Sequence, residues 1–292
     1  MLVGRLAALS GAIGWALTGV IIKPASPSFS ALQITAAYSW VAFAVVLPVV
    51  AALGRADDLF VLPARSAAWL LGASVLYTAS DLAFFRLLMM GAVGWTFVTT
   101  TSLYILFALV AGIVFLGNSV TWTAAAGAAA IVTGIYLINR SSPAGSPAAT
   151  TPSIRVRLPI AAAIALCWTS GLLFTDIGVA DVDPFTAAAV ITAVPAVFYA
   201  LLAIRLRSAR TPAAPLRDRA LLLVSALAFG GSAIAFTVAV KYESAGITAV
   251  LTSSAPLFAV LLAIVFLKER TNALALVGVG LCLVGIAAVL VR

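Results

Sequence analysis

Histidine is absent from this 292-residue chain, and charge is scarce: Asp, Glu, Lys and Arg together make up 9% of it. Without histidine there is no His-assisted nucleophile and no H-E-x-x-H zinc site. No phosphate-cradling G-x-x-x-x-G-K-[ST] loop occurs, so no ATPase of that kind is built in. The 2 cysteines, Cys167 and Cys282, both fall inside long apolar runs and read as small buried apolar groups, not as a disulfide framework. Of the 9 acids, Asp81 alone lies near the middle of an apolar run. Asp176, Asp181 and Asp183 fall near or beyond run ends, so the coupled carboxylates of an intramembrane aspartyl enzyme are missing. No enzyme, cofactor or metal site is expected.

What fills the chain instead is hydrocarbon. Residues are 64% hydrophobic and the mean hydropathy is +1.19, whereas a soluble domain carries about 25% charged residues. Apolar runs of about 20 residues can cross a bilayer core as helices. Ten such runs are present, at roughly 4–22, 30–53, 66–89, 93–116, 121–139, 157–180, 184–205, 219–241, 245–267 and 272–291. The expected class is an all-α polytopic membrane protein of ten transmembrane helices, with the lipid bilayer as its surroundings. The first run is span-length and continues directly into the rest, so no cleavable leader is expected.

The net charge of +8 belongs to topology and not to nucleic acid. Ten spans put alternate loops on alternate sides. Of the 17 Lys and Arg, only Arg5, Arg55, Arg65, Lys241 and Arg292 fall on one side. The rest fall on the other, and setting aside Arg86, which lies inside a span, keeps the sign. The positive-inside rule places the richer side in the cytoplasm and both termini outside. The expected location is a bacterial inner membrane, crossed many times, with periplasmic termini.

The chain also repeats itself. "FALVAGIVFLGNS" at 107–119 lies over "FAVLLAIVFLKER" at 258–270, an offset of 151. The same register pairs Gly127 with Gly278, Gly134 with Gly285, Thr101-Ser102 with Thr252-Ser253, and Phe85 with Phe236. At the front of each half the offset grows by two, and "GWALTG" at 14–19 meets "CWTSG" at 167–171, Trp15 over Trp168. The Pro-, Ser- and Ala-rich stretch "RSSPAGSPAATTPSIRVR" reads as the connection. The expected layout is a first five-helix repeat over 1–139, a loop over 140–156 and a second five-helix repeat over 157–292. An odd number of spans per half makes the second half enter from the opposite side, so the repeat is inverted. Inverted repeats are typical of transporters, with the solute site at the interface between them near mid-membrane.

These residues resemble the EamA branch of the drug/metabolite transporter superfamily: two five-helix halves, a Trp in each leading helix, the "FL-x-E-R" close of the ninth span and the Gly-x6-Gly final helices. The first half departs at "FLGNS", which lacks the acid of "FLKER", so Glu269 reads as a capping or loop ion-pair residue. Within the branch the aromatic-lined helices look most like the YddG-type aromatic amino acid exporters. The resemblance implies a secondary transporter exporting small metabolites by alternating access, amino acids and aromatic ones first. It also implies a central cavity ringed by spans one to four and six to nine, with spans five and ten outside it.

Competing solutes are separable by charge. Nucleotide-sugar or phosphorylated-sugar exchange calls for several cavity cations, and only Arg86 and Lys23 are candidates, both toward span ends. A small organic-cation antiporter of the same superfamily is expected to carry a glutamate in its first helix, which has none. A zwitterion or neutral solute therefore stands first, and a receptor-like or scaffold protein without flux is the other class. Oligomeric state is left open.

Candidate solute-binding residues follow from position. A charge at mid-span costs about 2.5–3.5 kcal/mol on insertion scales and usually faces a bundle interior or wet cavity. Asp81 shares a helical face with Ser74, Tyr77 and Leu88. It either bonds a hydroxyl or backbone group of a neighbouring helix, or holds a solute ammonium, or carries a proton. Arg86 lies about 140° round the helix from it and can snorkel to the headgroups. Trp95, Thr99 and Ser102 form a second stripe at i, i+4, i+7. Trp15, Tyr38 and Trp168 supply mid-span aromatic surface, either as core or as a stacking and cation–π wall. The glycines read as helix packing. Pro195 and Pro256, inside spans seven and nine, mark either gate bends or local kinks.

Overall fold

The computed structural model describes residues 2–116, 122–140, 153–206, 214–243, 245–268 and 272–290. Eleven α-helices account for nearly all of them: α1 Leu2–Ile22, α2 Ala31–Ala52, α3 Ala64–Met90, α4 Val93–Leu116, α5 Trp122–Arg140, α6 Ile154–Val179, α7 Pro184–Leu206, α8 Leu216–Tyr242, α9 Ala245–Thr252, α10 Ala255–Leu267 and α11 Ala273–Leu290. No strand occurs among the described residues. Each expected span coincides with one helix, except that the ninth is divided into α9 and α10. Six helices, α1, α2, α3, α6, α7 and α8, are long and apolar enough to cross a bilayer on length and composition. They are the same three helices of each half.

Local chemistry sets the ends. Ser30 and Gln33 form a reciprocal capping box at α2: the Gln33 amide donates to Ser30 Oγ at 3.2 Å, and the Ser30 amide to Gln33 Oε1 at 2.8 Å. Asp183 receives the Phe185 and Thr186 amides at 3.0 and 3.3 Å and so starts α7. The division of the ninth span follows from Pro256, which has no N–H to give and disfavours helical backbone at the residue before it. Ile105 holds the equivalent place in the first half, and α4 runs through unbroken. Helices α5 and α6 reach Arg140 and Ile154, so helix extends into both ends of the segment expected to be loop. Residues 141–152, and Glu269, lie outside the described residues.

The packing obeys a twofold exchange of the halves. Helix α1 packs on α8 as α6 packs on α3, α2 on α8 as α7 on α3, and α4 on α6 as α9 and α10 on α1. Helices α2 with α7, α4 with α10, and α5 with α11 pair with their own equivalents. Individual contacts repeat the exchange. A Cβ built on Gly134 would lie 2.6 Å from the Gly278 carbonyl oxygen and 2.9 Å from the Cys282 nitrogen. One on Gly285 would lie 2.6 Å from the Gly127 carbonyl oxygen and 2.9 Å from the Ile131 nitrogen. Ser74 Oγ donates to the Ile191 carbonyl at 2.7 Å, while Tyr38 Oη, the counterpart of Ile191, donates to Ser225 Oγ, the counterpart of Ser74, at 2.8 Å. Small residues let the helices approach this closely in a membrane, where dispersion and hydrogen bonds replace hydrophobic drive.

Two faces result. Arg5, Tyr242, Glu243 and the end of α6 share the N-terminal face, where Arg5 Nε meets Glu243 Oε1 at 3.3 Å and Lys241 Nζ donates to the Val179 and Ala180 carbonyls at 3.0 and 2.7 Å. On the opposite face Lys23 Nζ donates to the Leu88 and Gly91 carbonyls, both at 2.6 Å, and Ser28 Oγ donates to Asp218 Oδ2. On each face a lysine thus neutralises the carbonyl end of another helix.

Candidate functional site

Between the halves lies a cavity of about 190 Å³. Its walls come from α1, α2, α3, α4, α6, α7, α8 and the α9–α10 break, and from neither α5 nor α11. Equivalent positions of the repeat line it in pairs: Trp15 with Trp168, Ser39 with Thr192, Thr101 with Thr252, and Asp81 with Ser232. The cavity therefore straddles the pseudo-twofold axis. Only the last of these pairs differs in charge.

Aromatic rings close it toward the opposite face. Trp15 is the hub, with ring centroids 4.9 Å from Phe84, 5.7 Å from Phe229, 5.8 Å from Trp168 and 6.0 Å from Phe97. Phe84 also stacks on Phe97 at 5.2 Å and on Trp168 at 5.3 Å. Offset and edge-on ring pairs of this kind contribute about 0.5–1.5 kcal/mol each beyond their burial. Phe84, Phe85 and Phe97 are fully buried, so the floor is sealed against water from below. Beneath it, Arg157 at the start of α6 places its guanidinium 4.4 Å over the Trp95 ring, a buried cation–π contact joining the halves.

The polar lining is fixed from behind. Thr175 Oγ1 donates to the Gly171 carbonyl at 2.8 Å, which leaves its oxygen to accept from the Tyr77 phenol at 3.2 Å. Gly171 makes room for that ring: a Cβ there would come within 2.6 Å of Tyr77 Cε1. Tyr77 is thereby held with its ring against the cavity, edge-on to Phe236 at 6.1 Å. Ser232 Oγ donates to the Gly11 carbonyl at 2.8 Å, tying α8 to α1 at the wall. Asp81, one turn beyond Tyr77, lines the cavity and makes no hydrogen bond or ion pair to a described residue. It is the one ionisable carboxylate among the lining residues, and no Lys or Arg is among them. Arg86 is exposed on another side of α3.

Of the eight residues singled out from the sequence, Trp15, Tyr77, Asp81 and Trp168 line the cavity. Tyr38 is fully buried behind the wall, edge-on to Phe85 at 4.8 Å. Trp95 lies under Arg157, below the floor. Thr99 and Ser102 are fully buried and do not line the cavity; α4 turns Thr101 and Tyr104 to it instead. The hydroxyl-rich run thus reaches the cavity by another face than the Trp95, Thr99, Ser102 stripe. Tyr104, Phe229, Ser232 and Phe236 escaped sequence reading, although doubling Asp81 by the 151-residue offset points straight to Ser232.

A family model described as EamA-like transporter family matches the chain twice, over residues 2–140 and 158–291. The chain belongs to the EamA-like transporter family. This EamA-like chain is accordingly a multi-pass membrane transporter of the drug/metabolite superfamily, its two matches falling on the two helical halves. No curated protein matches it. Among 27 matching solved chains, one titled "Crystal structure of protein" superposes with a TM-score of 0.72 at 17% identity, covering 98% of this chain and 95% of that one. At that identity the likeness concerns the fold alone.

Proposed function

We propose that this EamA-like protein is a secondary transporter that exports small metabolites by alternating access, with amino acids, aromatic ones first, as solutes. The observation that carries the proposal is the cavity on the pseudo-twofold axis, floored by Trp15 and its repeat counterpart Trp168. A site built from equivalent residues of inverted halves changes sides when the halves exchange conformations, and the solute need not move between sites. The rocking units are residues 1–139 and 157–292, linked by 140–156. In this conformation the aromatic floor and the Arg157–Trp95 contact close the opposite face. The reverse conformation opens that face and closes the N-terminal face above the cavity.

The lining suits a solute with a flat apolar body and an amino group. Trp15, Trp168, Phe229 and Phe236 offer ring surface, hydroxyls of Ser39, Thr101 and Ser232 offer hydrogen bonds, and Asp81 offers a carboxylate. Phosphorylated sugars and nucleotide-sugars are disfavoured by the lack of cations among the lining residues. The charge distribution of the loops supports a bacterial inner membrane with the termini on the periplasmic side, so that export carries solute toward the N-terminal face. Uptake of radiolabelled aromatic and aliphatic amino acids into proteoliposomes tests the proposal. Saturable flux favouring aromatic solutes is expected; absence of flux for every small metabolite offered, from monodisperse protein, would leave a receptor or scaffold.

A further inference from the structure

The charge of the cavity is unbalanced, and that imbalance selects among solutes. An α-amino acid brings one positive and one negative group about two bonds apart. The cavity has a place for the first: the Asp81 carboxylate, unpaired among the described residues, one turn from Tyr77 in a cavity that Trp15 and Trp168 also line. A cation here gains both the carboxylate and ring faces. For the second group no Lys or Arg is present among the described lining residues.

Besides the neutral hydroxyls of Thr101 and Tyr104, the candidate for a carboxylate partner is the start of α10, where Ala255 lines the cavity. Helix N-termini attract anions through free amides. Here Pro256 has no amide hydrogen and the Leu257 amide is already given to the Ser254 carbonyl at 3.0 Å, which leaves the Ala255 amide as a single neutral donor. The neighbouring break also brings the carboxyl end of α9 to the cavity through Thr252 and Ser253, and that end of a helix favours cations. An amino acid carboxylate would therefore meet only neutral donors, beside the Asp81 carboxyl group, in a low-dielectric site.

Resting on the transporter proposal but reordering its solutes, we infer that the cavity is a site for aromatic amines of net positive charge, preferred over the amino acids that carry the same ring. Asp81 is the specificity-determining residue, acting by pairing with the ammonium. The aromatic floor takes the ring, and the absent counter-cation is what rejects the carboxylate.

The test uses matched ligands on the purified full-length protein: tryptamine, tryptophan and tryptophan methyl ester, competing against radiolabelled tryptamine, with flux in proteoliposomes alongside. Tryptamine and the ester should bind at least about tenfold tighter than tryptophan, a difference of about 1.4 kcal/mol. The ester keeps the bulk and removes the charge, so the comparison within the wild-type protein needs no variant. Asp81→Asn should weaken tryptamine by a larger factor than tryptophan and shrink the gap, while Asp81→Glu should restore part of it. Tryptophan binding as tightly as tryptamine, or the ester binding as poorly as tryptophan, overturns the inference and leaves the transporter proposal standing. Saturable flux of amino acids only would do the same. Folded protein that neither binds nor moves any of the three, nor any amino acid, overturns both.

Discussion

Trp15 and Trp168 meet edge to face, their ring centroids 5.8 Å apart with the planes at 79°. They hold equivalent positions in two halves that enter the membrane from opposite sides. Only a pseudo-twofold axis passing between α1 and α6 brings such residues together, and the cavity sits on it. Their surroundings are not equivalent, however. Trp15 touches five other rings, whereas Trp168 touches Trp15 and Phe84.

That difference separates two variants. Trp15→Ala removes the hub of the floor and should lower stability by about 3 kcal/mol, the low end for aromatic truncation because the ring is partly buried. Trp168→Ala should cost less, because both rings are partly buried but Trp168 has fewer ring neighbours. Thermal unfolding of both purified variants in one detergent checks the order. Equal losses would mean that ring contacts do not carry the floor.

The α5–α11 contact makes a reciprocal prediction. At both Gly134 and Gly285 an added Cβ would meet backbone atoms at 2.6–2.9 Å, and backbone has no side-chain rotamer to yield. Gly134→Ala and Gly285→Ala should each destabilise by about 1–3 kcal/mol, the usual cost of overpacking. Neither residue touches the cavity, so ligand affinity of the folded variants should stay at the wild-type value. Titration of tryptamine after correcting for folded fraction checks this.

How far the sequence discloses this arrangement depends on what kind of signal each feature leaves. Spans are written in hydropathy and the halves in a constant offset; helices coincide with the expected runs except at the divided ninth, and the family model matches once over each half. The ring of helices round the cavity follows from the resemblance named on the Trp, "FL-x-E-R" and Gly-x6-Gly motifs. The site is only half legible. Asp81 and Tyr77 stand out because a charge and a phenol are rare at mid-span, but rarity says nothing about rotation of a helix made polar on several sides. In "GWTFVTTTSLY" Thr99 and Thr101 are equally plausible until α6 and α10 are packed against α4. Phe229 is one of 15 phenylalanines, and the repeat marks Phe236 only as the counterpart of Phe85; tertiary contact is what brings both to the cavity. Trp95 was drawn to the cavity by its neighbours in sequence, but Arg157, 62 residues away, claims its ring face.

That claim can be measured. A guanidinium buried over an indole contributes about 2 kcal/mol when desolvated, against which stands the cost of burying the charge. Single substitutions mix the two terms, so a double-mutant cycle is needed. Arg157→Gln and Trp95→Leu should be non-additive by about 1–2 kcal/mol in unfolding free energy. Additive losses would show that Arg157 lies over Trp95 without depending on it.

The break between α9 and α10 yields the last prediction. Its cause is Pro256, and the unbroken α4, with Ile105 at the matching position, is an internal control for what the same backbone does without proline. The Ser253 amide already returns to the Ala249 carbonyl at 3.0 Å and the Ser254 amide to the Leu251 carbonyl at 3.2 Å, so the chain is within one turn of a continuous helix. Pro256→Ala supplies the missing amide and removes the clash with the preceding turn. If the break is only a local kink, the variant should be more stable and transport at the wild-type rate. If α9 must swing relative to α10 when the cavity changes sides, the variant should be more stable yet slower. We expect the second outcome, because Thr252, Ser253 and Ala255 line the cavity at the break while α10 packs on α1 and α4 below it. Initial flux rates and unfolding temperatures of Pro256→Ala, taken on the same preparation, decide between them: a stabilised protein with undiminished flux assigns the proline to packing alone.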